Sequence, residues 1–232
     1  MTTRHSGPGL SLPTLLLLLA AGGAGLACGD TTGPPLPDPY DWRLLVPYDS
    51  AGTAWVDSLS FHWPASMLPL GIWVEDQYNM PVHIGDGIAL WRDAIGAGRW
   101  NAMLEADSTV ADVIVRTTTP PAGPSGAALR QTGRISSCEG ATDIDTVATR
   151  HQLRLPVRIY IYPIQPGSAE LPACLRTVAA HELGHSLGIL QHSPDPLDLM
   201  YYNPEIDAFT DRDRSTGLAV SRTRSDMVPT RP

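Results

Sequence analysis

The chain has no lysine. All 16 of its basic side chains are arginines, outnumbered by 24 acidic ones, and the formal net charge is −8. The arginines are scattered, so no basic stripe could displace counterions from phosphates, and a nucleic-acid partner is not expected. Cysteine is also scarce, with only Cys28, Cys138 and Cys174. No internal repeat is visible. No apolar run is long enough to span a bilayer permanently; Leu10 to Leu19 is too short and is interrupted by Pro13. What remains of 232 residues after any targeting segment is the size of one domain with a real core.

The N-terminus does carry a targeting pattern. Arg4 and His5 precede the apolar run, and the small residues Ala20 to Gly25 follow it. That is the charged, apolar, small order of an export signal, expected over residues 1–27. The segment ends Gly25-Leu26-Ala27-Cys28-Gly29. This resembles a bacterial lipobox, whose cysteine is acylated after cleavage. Ordinary cleavage after Ala27, leaving a free Cys28 thiol, is the competing reading. Residues 28–39 are rich in Pro, Gly and Thr and have little to bury, so a tether is expected there, ahead of a domain spanning 40–232. Exported thiols usually pair. With Cys28 lipidated, Cys138 and Cys174 are left as one disulfide. The expected location is the cell envelope, with the lipid as the only membrane contact, or else the exterior as a secreted protein.

Within the domain, Leu70 to Val74 reads as a strand. Asp86 can cap a helix from about Gly87 to Arg99, with Ile88, Trp91 and Ile95 on one face. Ala111 to Arg116 and Val157 to Tyr162 are β-branched or aromatic runs, hence strands, and Ala127 to Ser136 is an irregular edge strand. A helix is expected from Pro172 to Leu187, stopped by Gly188. It has almost no polar face, which marks a buried helix. Thr210-Asp211-Arg212-Asp213 has a capping-box pattern and opens a short last helix weakened by Gly217; the polar tail after about residue 220 is expected to fray.

The buried helix contains His181-Glu182-Leu183-Gly184-His185. Histidines four apart lie on one helix face, so both rings can reach one point. Imidazole is a good zinc ligand, and an open tetrahedral site needs three protein ligands and a water. Glu182 flanks the pair without joining it and is placed to take a proton from that water. Three polar side chains in an apolar helix would cost several kcal/mol unless something pairs them, which argues against a chance occurrence. The third ligand is expected to be His192 rather than Gln191, whose neutral amide is a poor ligand. Asp195 and Asp198 are the competing candidates. Pro194 to Tyr201 then forms a turn containing Met200.

On His181 to Tyr201, and more loosely over residues 68–220, the chain resembles the metzincins, and among them the matrixin-like peptidases. The resemblance implies an α+β fold, a twisted mixed sheet with a backing helix and a buried active-site helix. It implies one catalytic Zn2+ on His181, His185 and His192, Glu182 as general base, Gly188 as the turn, and Met200 as the floor of the site. It also implies that Tyr201 to Pro204 wall the pocket for the substrate side chain, and that a polypeptide lies along the edge strand. The family spacing puts Gln at the third-ligand position and His192 one residue later, so an insertion falls between Gly188 and His192. No cysteine-switch propeptide is visible. A structural Ca2+ is a further possibility of the family, with Asp143 and Asp145 as loop ligands. His5, His62, His83 and His151 read as non-ligands, and Tyr202 as a packing residue. The resulting expectation is a monomeric zinc-dependent endopeptidase. The alternative is a non-catalytic zinc-binding lipoprotein that holds a partner in the same cleft.

Overall fold

Among the described residues, the hydrophobic runs resolve into nine strands and three α-helices. The computed structural model describes residues 35–47, 55–122, 128–135, 137–147, 150–204 and 209–231. The expected signal segment, Cys28 and the first part of the tether lie outside the described residues.

Strands β1 (Leu44–Pro47) and β2 (Trp55–Leu59) form a small antiparallel pair. The main sheet contains β3 (Leu70–Val74), β4 (Ala102–Glu105), β5 (Val113–Arg116), β6 (Ala128–Ile135), β7 (Cys138–Val147), β8 (Gln152–Pro163) and β9 (Val228–Thr230). Its order is β4-β3-β5-β8-β7-β6, with β9 on β8. The β4-β3-β5-β8 side is parallel, and β8-β7-β6 is antiparallel, so the sheet is mixed and the fold is α+β as expected. β8 changes partner along its length. Gln152 to Arg154 pair with β9, and Val157 to Tyr160 pair with β5. Pro156, which lacks an N–H, falls at the changeover.

Helix α1 (Met80–Ile95) begins seven residues before the expected start at Gly87. Asn79, in the left-handed conformation, precedes it with no side-chain cap, and Asp86 is an exposed residue of the helix interior rather than its cap. The run Gly85-Asp86-Gly87 suggests a turn, but Gly87 is there for space. A Cβ on it would come within 2.7 Å of Leu183 Cδ1 and 3.3 Å of the Ala180 backbone. The glycine lets α1 lie against α2 (Leu171–Leu187). Trp91 of α1 donates its indole N–H to Ala180 O at 2.8 Å, tying the two helices.

Every residue of α2 from Thr177 onward is buried, in keeping with its apolar sequence. The helix lies under β7, with β6 and β8 to either side. It ends at Gly188 (φ +125°), where a Cβ would run into the carbonyl of Phe61. α3 (Asp211–Arg222) is longer than expected, because Gly217 is not a break: it faces Ile95 and Trp91 of α1.

The tail corrects a second expectation. The polar residues after 220 do not fray. Asp226 accepts the Ser60 N–H at 2.9 Å and its hydroxyl at 2.8 Å, β9 pairs with β8, and Arg231 donates to Asp112 at 2.7 Å. Polarity signals solvent only when the groups lack partners, and here the partners lie far back in the chain. None of the described helices is long and apolar enough to cross a membrane.

Candidate metal centre

The imidazoles of His181, His185 and His192 converge. One nitrogen from each lies within 4.8 Å of the others, and this is the one such cluster among the described residues. His185 Nε2 is 3.1 Å from His181 Nε2 and 3.3 Å from His192 Nε2. His181 Nδ1 donates to Leu199 O and His185 Nδ1 to Ile189 O, both at 2.7 Å. A neutral imidazole carries one proton, and each Nδ1–H is already used, so the facing Nε2 atoms are lone pairs. Lone pairs at 3.1 Å repel unless a cation lies between them.

Burial, and after it the neighbouring His192, pushes the His181 imidazole down to about 3. His185 is likewise held well below its ordinary value, first by burial and then by His181 and His192. Both rings are therefore neutral near pH 7, the form that ligates metal. Neutral nitrogen donors with oriented second nitrogens fit a zinc ion.

The chain between the helix and the Met turn explains why the third imidazole is His192. Gly188 reverses the chain, which brings Ile189 O back over His185. Leu190 N–H then bonds Trp42 O at 2.7 Å, and the Gln191 amide reaches Arg43 O at 3.1 Å. The Gln191 side chain is thus engaged by the N-terminal segment. Asp195 and Asp198 are committed elsewhere. Asp198 accepts from the hydroxyls of Ser193 and Thr210 and pairs with Arg212 Nε at 2.9 Å, and Asp195 also pairs with Arg212.

Met200 is fully buried, and its sulfur fills the space a side chain at Gly184 would need. The turn closes through Ser193 N–H to Met200 O at 2.8 Å. Asp213, at the start of α3, was not read from the sequence as part of the site. Its carboxylate accepts from Leu199 N–H at 2.8 Å and Met200 N–H at 3.2 Å, while also closing the capping box with Thr210. The capping pattern was the visible signal, but its reach to the Met turn is tertiary.

Glu182 is fully buried beside the triad, and Thr142 Oγ1 of β7 donates to its Oε2 at 2.5 Å. Cys138, at the start of β7, is bonded to Cys174 in the first turns of α2, with Cα atoms 5.9 Å apart. Tyr202 stands edge-on to His192 with ring centroids 5.6 Å apart, half exposed at the site's rim. Pro204 is buried, and residues 205–208 lie outside those described. His62, His83 and His151 lie outside the cluster. Asp143 and Asp145 are not in a loop. They sit on β7, where Asp145 pairs with Arg154 at 3.7 Å, and they join no metal-holding group.

No curated protein matches the chain. Residues 130–214 do match the matrixin family model, a stretch that runs from β6 through all three histidines to the first turn of α3. The match and the histidine cluster together support a zinc metallopeptidase of matrixin type at the level of the family.

Proposed function

We propose that the protein is a zinc-dependent endopeptidase, exported and held at the cell envelope by a lipid on Cys28. The convergence of three imidazoles, two of them kept neutral by burial, with the buried Glu182 on the same helix as those two, carries the reading of the chemistry. His181, His185 and His192 would hold the metal. When bound, zinc supplies a Lewis acid that acidifies water and polarises a carbonyl. Glu182 takes a proton from the attacking water and returns it to the leaving amine, so the carboxylate ends the cycle as it began. Leu199 O and Ile189 O keep two of the imidazoles in the ligating tautomer. Among the described residues no strand pairs with the outer edge of β6, which suits an extended polypeptide added as one more strand. The export and lipid reading rests on the residue pattern before Cys28.

The test of the chemistry is casein hydrolysis by zinc-loaded protein, with a chelator control and the Glu182→Ala variant. That variant should keep about one zinc per chain and lose ~10²-fold or more in turnover. Undiminished hydrolysis in Glu182→Ala, or none in the zinc-loaded parent, overturns the reading. For the anchor, mass spectrometry of the mature N-terminus decides: an unmodified Cys28 rejects it.

A further inference from the structure

Two residues of β7 shape the surroundings of the Glu182 carboxylate. Thr142 donates its hydroxyl to Oε2 at 2.5 Å, with both residues fully buried. Gly140, two residues earlier on the same strand face, leaves the space the side chain needs. A Cβ there would lie 2.5 Å from Glu182 Oε1 and 2.8 Å from its Cγ. The strand therefore offers a slot at one position and a donor at the next position of the same face.

The donor is also rigidly placed. β7 is paired on both sides, Thr142 standing opposite Ile159 of β8 and Gln131 of β6. A strand held on two edges cannot shift register without turning every side chain to the other face. Thr142 is β-branched, so its χ1 freedom is small as well.

We infer that Thr142 is a positioning residue for the general base. This rests on the reading of Glu182 as that base. The hydroxyl fixes one carboxylate oxygen with a neutral donor. A neutral donor suits the task, because a cation in its place would hold the carboxylate ionised too strongly to accept a proton. A free glutamate would spread over several rotamers, and proton transfer demands one of them.

Thr142→Val keeps the shape and removes the donor. With casein and a quenched-fluorescent peptide as probes, kcat should fall roughly ten- to hundredfold, the worth of a hydrogen bond to a charged group. KM and zinc content should stay close to those of the parent. Thr142→Ser keeps the hydroxyl and should recover most of the loss. A second readout needs no turnover. Infrared difference spectra of Thr142→Val against the parent should show one glutamate carboxylate stretch shifting, and the shift should vanish in a Glu182→Gln background. Unchanged kcat in the valine variant, a serine variant as slow as the valine one, or no Glu182-dependent shift overturns the inference. A zinc-loaded parent that cleaves nothing defeats the peptidase reading instead, and the infrared shift still decides whether Thr142 holds Glu182.

Discussion

The Asp213 carboxylate and the His181 imidazole grip the same residue from opposite ends. Asp213 accepts Leu199 N–H at 2.8 Å, and Leu199 O accepts His181 Nδ1–H at 2.7 Å. A capping residue of α3 thereby fixes the carbonyl that orients the His181 imidazole of the α2 cluster. Asp213→Ala would leave the Leu199 and Met200 N–H groups buried without their acceptor. The expected cost is about 2–4 kcal/mol of stability, read by urea unfolding, with zinc affinity weakened by about tenfold or more. Unchanged affinity in a metal-buffer titration would show that the ligand is oriented without Asp213.

The third ligand can be settled by a short variant series. His192→Ala should weaken zinc binding by more than about 100-fold, since losing a ligand exceeds the usual effect of losing a ligand's partner. Gln191→Ala should bind zinc normally, because that amide faces Arg43 O. Asp198→Ala should lose stability, through Ser193, Thr210 and Arg212, more than it loses metal. Full zinc occupancy in His192→Ala at low free zinc contradicts the assignment.

Gly184→Ala tests the floor of the site. The added methyl would meet the Met200 sulfur and come within 2.8 Å of Trp91 Cζ2. Overpacking of this kind costs about 1–3 kcal/mol. Because Leu199 precedes Met200, the displaced turn should also loosen zinc. A thermal melt and a zinc titration check the two effects, and an unaltered melt would show that the turn can yield.

Acid should destabilise the metal-free protein, and the sign follows from the buried histidines. His181 and His185 refuse protons when folded and accept them when unfolded, near pH 6.5 for an ordinary imidazole. Their contribution is present above that value and is lost as pH falls from it towards the folded value of about 3 for His181. Each histidine can contribute a slope of up to about 1.4 kcal/mol per pH unit. Urea midpoints measured from pH 7 to 5 after chelation should therefore decline, and His181→Ala should decline less steeply. A flat profile would mean that the imidazoles accept protons in the folded state.

The site was legible in the sequence where it is local. His181, Glu182, His185, Gly188 and His192 fall within one helix and its exit, and helical spacing alone places the first three. The strands at Leu70, Val113 and Val157 were also readable from their apolar runs, while the α+β class came from the resemblance to the metzincins. What escaped depends on contacts across the chain. Thr142 lies 40 residues from Glu182, and Asp213 lies 14 from Leu199. The start of α1 was misplaced because Gly87 looks like a turn residue until α2 is laid against it. The last strand was missed for the same reason, since Asp226 and Arg231 are polar but answer to Ser60 and Asp112.

All three imidazoles lie between His181 and His192, a stretch that the folded domain already bends back on itself. A metal gripping so short a stretch closes only a small loop, and small loops carry little entropy to remove. It cannot act as a clasp between distant parts of the chain, as it does in domains that collapse when stripped of metal. The scaffold should therefore assemble without zinc, which leaves the metal free to be loaded last.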